Sequence, residues 1–307
     1  MSQPQKSSSS TLVIGAGELG LAVIEGLMTH ASGASPHPLH VLLRPTASDA
    51  GRRKVQHIKD KGADVVHGDL ADDSIDALAS IFAAYSTVIC CSGFVGGSGT
   101  QRKITTAVLQ ADVQRYVPWQ FGVDYEVIGR GSGQPVWDEQ LDVRDMLRAQ
   151  SKTQWIIISS GMFTSFLFEP SFGLVDFERA EVRALGSWDY RLTVTTPADI
   201  GKLTAAILAH EPPIRNQVVF TAGDTLSYTQ LADVVEQHLG RQVRRVLLSL
   251  DQLRSDSASR PDDLVSKYRL AFARDTGVAW TKEQTFNAAQ GIAVTDARSY
   301  LRQRQLE

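Results

Sequence analysis

Gly15, Gly17 and Gly20 lie in the spacing Gly-x-Gly-x-x-Gly, directly after the apolar run Thr11-Leu12-Val13-Ile14 and before a helical pattern. In that context each glycine has a distinct use. Gly15 permits a tight turn, Gly17 lets a pyrophosphate approach the backbone, and Gly20 lets the helix pack closely on its strand. The amides of the turn, with Glu18 and Leu19 between the glycines, and the positive end of the helix dipole favour a bound anion. The competing reading is a plain strand-to-helix turn without ligand. A second charged feature chooses among dinucleotides. The next apolar run, His40–Arg44, ends in Arg44, where an NAD-preferring protein would carry an acid for the ribose hydroxyls. A guanidinium there grips a 2′-phosphate with paired hydrogen bonds, so the expected cofactor is NADPH. Lys54, with Arg52 and Arg53, adds positive charge nearby; the alternative for those three is a solvated helix start.

The elements that must position these residues follow from apolar spacing. Leu21, Ile24, Leu27 and Met28 recur at helical intervals, and His40–Arg44 closes a strand–helix–strand unit. The alternation continues with helices around 52–61, 74–83, 100–111 and 136–150. Strands fall at 63–67, 86–91, 115–119 and 155–159. Such alternation predicts an α/β fold, a doubly wound parallel (Rossmann) sheet covered on both faces. Beyond Gly161 the rhythm breaks into a phenylalanine-rich stretch (Phe163, Phe166, Phe168, Phe172, Phe177). Mixed elements follow: helices at 198–210 and 227–239, strands at 217–221 and 243–248, and a polar linker at 255–262. The expected organisation is a tail over 1–10, a cofactor domain over 11–160 and a smaller mixed α/β substrate lobe over 161–307. Segments near 190–222 would return to the first domain, and the lobe would lean over the carboxyl edge of the sheet.

Composition narrows the classes. The 307 residues are 43% hydrophobic, enough for a full core, and 31 basic against 34 acidic residues give no nucleic-acid-wide basic face. Apolar runs are strand-sized, too short to cross a membrane, and the Ser-rich start lacks the apolar core of a secretory signal. Cys90 and Cys91 are the only cysteines. As neighbours in a strand they point to opposite faces, so no bridge is expected between them, and a reduced, cytoplasmic protein is the economical reading. His67, His210 and His238 lack ligand spacing, so no metal is expected. The expected assembly is a monomer or homodimer.

With the later segments Val117-Pro118-Trp119-Gln120-Phe121-Gly122 and Ser159-Ser160-Gly161-Met162-Phe163, the chain resembles the NmrA-like branch of the atypical short-chain dehydrogenases, which includes plant isoflavone and phenylcoumaran benzylic ether reductases. The middle segment, through Asp138-Glu139-Gln140-Leu141-Asp142-Val143-Arg144, is most similar to fungal secondary-metabolism members. The resemblance implies NADPH dependence. It also implies a cofactor contact set that includes Ser92, Gly93, Phe94, Gln101 (of a recurrent Gln-x-Lys with Lys103), Pro118, Gln120, Phe121, Met162 and Phe163. The chain departs from the plant reductases at one position: aligning the helices puts Gln140 where they carry a catalytic lysine. A Tyr-x-x-x-Lys pair is missing as well.

Val136, Gln140, Val143 and Leu147 share one helical face, so Gln140 points inward, either into a substrate pocket or to a structural hydrogen-bond partner. An amide is no general base, but it can donate and accept. Hydride addition to a carbonyl needs an acid or a strong donor, whereas addition to an iminium carbon neutralises an existing charge. The catalytic candidates are therefore Gln140, Tyr125 as a proton donor and Asp138 as a carboxylate near a cationic substrate, with Asp124, Glu139 and Asp142 in the same region. For the acids the alternative is ordinary helix-terminal charge, and for Tyr125 it is packing. The leading function is an NADPH-dependent reductase of a hydrophobic natural product, through a C=N or conjugated acceptor such as an alkaloid would present. An NADP(H)-sensing regulatory protein and a redox-neutral cyclase or isomerase remain open. Arg44→Asp should weaken NADPH binding by about 1.5–3 kcal/mol, the loss of a charge-assisted pair, and leave NADH nearly unaffected. Titration of both cofactors against both proteins checks this, and equal affinities in the parent would reject the assignment of Arg44.

Overall fold

Residues 10–31, 38–93 and 97–304 are described by the computed structural model. Four apolar residues starting at Thr11 form β1 (Thr11–Ile14), and the glycine turn delivers the chain into α1 (Glu18–Ala31). Alternation then continues through β2 (Leu39–Leu43), α2 (Asp49–Asp60), β3 (Asp64–His67), α3 (Ile75–Phe82), β4 (Thr87–Cys90), α4 (Thr100–Gln110) and β5 (Arg115–Val117). A short α5 (Tyr125–Ile128) and the long α6 (Pro135–Arg148) precede β6 (Gln154–Ser159). The expected doubly wound sheet is borne out. Its order is β3-β2-β1-β4-β5-β6, followed by an edge strand at Gln217–Phe220. Val13 sits between Val41 and Ile89 in parallel register, and Val88 stands opposite Tyr116. Strand order reverses between β1 and β4, which places the crevice of a doubly wound sheet beyond the carboxyl ends of those two strands.

Continuous apolar runs mark strands covered on both faces, and the central ones are sealed. Leu12, Val13, Ile14, Val88, Ile89 and Cys90 have no exposed surface. One core under the sheet joins Leu12, Ile14, Phe82, Ile104, Val108, Tyr116 and Leu147. Ser48 and Ser74 cap α2 and α3 by accepting from the amides of Gly51 and Ala77, the usual means of satisfying first-turn donors. Both cysteines are free. Burial pushes the Cys90 thiol up to about 12 and that of Cys91 well above its ordinary value, so both stay protonated and inert near neutral pH.

The chain divides into two compact units. The first contains residues up to 120, then 139–158 and 200–219, and the second contains 121–138, 159–199 and 220 onward. The chain thus crosses between units several times: 200–219 returns to the first unit, within the segment expected to do so, and 121–138 leaves it. Helix α6 itself starts in the second unit and finishes in the first. Glycine contact explains why 200–219 belongs with the sheet. A Cβ on Gly26 of α1 would lie 2.2 Å from the carbonyl oxygen of Gly201, and one on Gly201 would lie 2.0 Å from that of Ala22. Two helix backbones meet there with no room for a methyl group.

The second unit has two three-stranded sheets. Arg191–Thr195 lies between Asp224–Ser227 and Met162–Phe163, and Glu181–Leu185 lies between Arg244–Leu248 and Val175–Asp176. Residues 255–259 of the polar segment expected as a linker over 255–262 instead belong to a helix, Leu250–Ser259, capped by Ser249, and a turn at 261–262 follows it. Only Leu253 of that helix is buried, so its apolar period is too sparse to register in sequence. Gly26→Ala should destabilise the protein by about 2–3 kcal/mol, the upper part of the usual cost of overpacking. Urea unfolding would show it as a lower midpoint at unchanged slope.

Candidate functional site

The glycine turn has the geometry its spacing implies. Gly15 takes a φ of +90°, a conformation that side chains rarely adopt. A Cβ on Gly20 would fall 2.2 Å from the Gly15 carbonyl oxygen, so helix and turn are in backbone contact. Gly17 differs: a Cβ there would meet none of the described residues within 4 Å. Gly17 and Glu18 are exposed, while the Leu19 side chain is buried in the core and offers the site only its backbone. The first turn of a 14-residue helix therefore faces open space, a cradle that fits an anionic pyrophosphate.

Along the same edge of the first unit, the segment after β4 approaches the turn. A Cβ on Gly15 would lie 3.1 Å from the Ser92 hydroxyl oxygen, and one on Gly93 would lie 2.9 Å from the Trp119 ring. Gln101 is almost wholly buried, and its Nε2 donates to the carbonyls of Ser92 (2.9 Å) and Gly93 (2.8 Å). Its part in the site is to hold that segment in place. Phe94, expected beside the cofactor, lies outside the described residues.

Sequence reasoning missed what holds Gln101. Helix α4 begins at Gly99, which has no side chain to cap it. The buried carboxylate of Glu139, on α6, takes the role. One oxygen accepts from the Gly99 amide at 2.9 Å, and the other accepts from those of Gln101 (2.8 Å) and Arg102 (3.2 Å). The signal in sequence was the missing cap, since orphan first-turn amides must find an acceptor somewhere. Gln120, expected at the cofactor, is turned inward. Its Nε2 donates to the Gln140 carbonyl at 2.9 Å, and its Oε1 accepts from Arg144 Nε at 2.8 Å. Pro118 is buried next to it. Gln140 has no exposed surface, and Val136, Val143 and Leu147 are buried with it, as their spacing predicts.

At the ends of β2 and β3, Arg44 is exposed and Asp69 is within its field. Led by a hydrogen bond from the Ala71 amide, with Arg44 and Lys103 adding nearby positive charge, Asp69 is held below the usual carboxylate pKa. Lys103 donates to the carbonyls of Leu70 (3.0 Å) and Ala71 (2.9 Å), pinning the loop after β3 onto α4. Lys54 is exposed on α2, and Arg52 is paired with Asp49 as a solvated helix start.

The comparisons agree with this architecture. The NmrA-like family model matches residues 7–269. The chain belongs to the NmrA-like family. A Gibberella moniliformis protein described as an NmrA-like family domain-containing oxidoreductase is 44% identical over 301 residues, 96% of this chain and 98% of its own. Among solved structures, an isoflavone reductase shares the fold with a TM-score of 0.78 at 19% identity, covering 97% of this chain and all of the other. The binary complex of leucoanthocyanidin reductase with NADPH from Vitis vinifera has a TM-score of 0.77 at 18% identity, with the same coverage.

In this NmrA-like chain the second unit holds the remaining expected residues. Phe121, Tyr125 and Met162 are buried, and Phe163 is half-buried. Tyr125 meets the Trp137 ring edge-on at 6.2 Å, and a Cβ on Gly122 would lie 2.4 Å from its hydroxyl oxygen. The acids proposed to face a cation all have structural partners. Asp138 accepts from the Gly131 amide with both oxygens (3.1 and 3.3 Å), clasping the loop before α6. Asp124 caps α5, Glu139 caps α4, and Asp142 pairs with Arg102 at 3.4 Å. For Asp138, Glu139 and Asp142 the geometry gives structural roles, a loop clasp, a helix cap and an ion pair. Gly17→Ala should leave stability within about 0.5 kcal/mol, as at an uncrowded surface position, yet weaken NADPH at least tenfold. Paired melting curves and cofactor titrations would read the two effects separately.

Proposed function

We propose that this protein is an NADPH-dependent reductase of a hydrophobic small molecule. The observation that carries the reading is the glycine turn, crowded at Gly15 and Gly20 and open at Gly17, with exposed Arg44 at the end of the neighbouring strand. The amides at the start of α1 would hold the pyrophosphate, and Arg44 the 2′-phosphate. Ser92 and Gly93, fixed by Gln101, would border the bound cofactor. NADPH supplies the hydride. The 44%-identical relative, itself described as an oxidoreductase, supports the assignment.

The substrate group follows from what the α6 face lacks. Where the plant reductases resembled here carry a lysine, this chain has the uncharged and fully buried Gln140. With no ammonium to deliver a proton, the protein is suited to acceptors that take hydride without a strong acid at the reacting centre: a C=N group, above all an iminium, or a conjugated system polarised elsewhere. We place its substrate among bulky natural products of secondary metabolism, including alkaloids. The same buried amide favours a second reading, an NADP(H)-sensing protein that has given up hydride transfer. Following NADPH absorbance with a panel of cyclic imines, enones and isoflavonoids separates the two. We expect turnover of imines or enones. Tight NADP(H) binding with no turnover across the panel would leave the sensor.

A further inference from the structure

A cleft of about 380 Å³ lies within the second unit, lined by Asp124, Val127, Phe220, Asp275, Thr276, Gly277, Ala279, Trp280 and Gln284. Its volume is in the range of small-molecule sites. Two of its walls are aromatic: Phe220 and Trp280 meet edge-to-face, centroids 4.9 Å apart. Trp280 is locked in place, because its indole N–H donates to the Thr221 carbonyl at 3.1 Å and its amide donates to the Thr193 hydroxyl at 3.1 Å. A ring fixed by its own polar atoms presents its apolar surface at little further entropic cost.

The charge of the cleft is one-sided. Among the described residues its lining includes two carboxylates, Asp124 and Asp275, and no basic side chain. The bases nearest in sequence are engaged elsewhere. Arg274 donates to the carbonyls of Ala271 (2.6 Å) and Ser132 (3.2 Å) and lies over the Trp137 ring, while Lys282 pairs with Asp224 at 3.3 Å. Asp124 is held at its backbone as well as through its cap, its amide donating to the Gly277 carbonyl at 2.8 Å across the cleft wall. Exposed Val127 adds apolar surface at the rim.

We propose that this cleft binds an organic cation, an aromatic or aliphatic amine whose apolar body lies against Phe220 and Trp280 and whose ammonium faces Asp124 and Asp275. Aromatic faces attract cations, and a carboxylate close to a partly desolvated ring adds to that attraction. The same charges exclude an isosteric carboxylate. The proposal concerns recognition by the cleft and goes beyond hydride transfer; it stands whether or not the protein reduces anything.

The test uses three probes with one apolar body, 4-phenylbutylamine, 4-phenylbutanol and 4-phenylbutyrate, titrated into the full chain without cofactor and followed by calorimetry and tryptophan fluorescence. We expect the amine to bind at least tenfold more tightly than the alcohol and the carboxylate to show no binding. Asp275→Asn, at an exposed position, should remove most of the amine's advantage. Val127→Lys should abolish amine binding by placing a positive charge at the rim, with melting temperatures of both variants close to the parent's. Trp280→Phe should remove the fluorescence response. Equal binding of the three probes, a preference for the carboxylate, or amine binding unchanged in both Asp275→Asn and Val127→Lys would overturn the proposal. These readouts are independent of NADPH consumption, so a failed reductase assay leaves them intact.

Discussion

Helices α1 and α4 both start at the carboxyl edge of the first unit's sheet, and their N-termini are treated in opposite ways. Helix α4 has its first amides filled by a carboxylate of the same chain, Glu139. Helix α1 begins just after Gly17, where a Cβ would meet none of the described residues within 4 Å, while Gly15 and Gly20 bring turn and helix into backbone contact. Both ends carry the same partial positive charge, and an anion stabilises either. The first is satisfied internally and becomes structure. The second, among the described residues, faces open space at Gly17. The arrangement at this edge depends on that difference.

The network behind it is compact. Glu139 holds α4, Gln101 on α4 holds the carbonyls of Ser92 and Gly93, and Ser92 packs against Gly15. From the other side of α6, Gln120 ties the end of β5 to the Gln140 carbonyl and to Arg144. These are buried hydrogen bonds, several to a charged group, of the kind that are costly to leave unmade and so specify one arrangement. Gln101 and Gln120, expected as cofactor contacts, spend their amide groups on the segment after β4 and on α6. Asp138, Glu139 and Asp142, expected near a substrate, serve as a loop clasp, a cap and an ion pair.

The second unit follows a different rule. It has short strands, two small sheets and a run of ring contacts from Phe163 through Phe166 and Phe172 to Phe272 and Trp137. Aromatic packing of this kind has no regular period, so elements such as Met162–Phe163 and Val175–Asp176 leave no pattern to read. Its cleft, by contrast, is defined by charge: among the described residues, two aspartates and no base around a fixed indole.

The amino-acid sequence alone determined the doubly wound sheet, the glycine turn and the inward face of α6, because each depends on local periodicity or on a spacing within a few residues. Apolar runs, helical stripes and Gly-x-Gly-x-x-Gly act on their immediate neighbours, and the chain carries that information in order. Tertiary structure alone decided where Glu139 and Gln120 point, how closely the returning segment 200–219 packs on α1, and which acids gather around Trp280. Those outcomes join residues far apart along the chain: Glu139 with Gln101, Gly26 with Gly201, Asp124 with Gly277. A carboxylate's role is set by the donor that reaches it first, and which donor that is depends on how the helices pack.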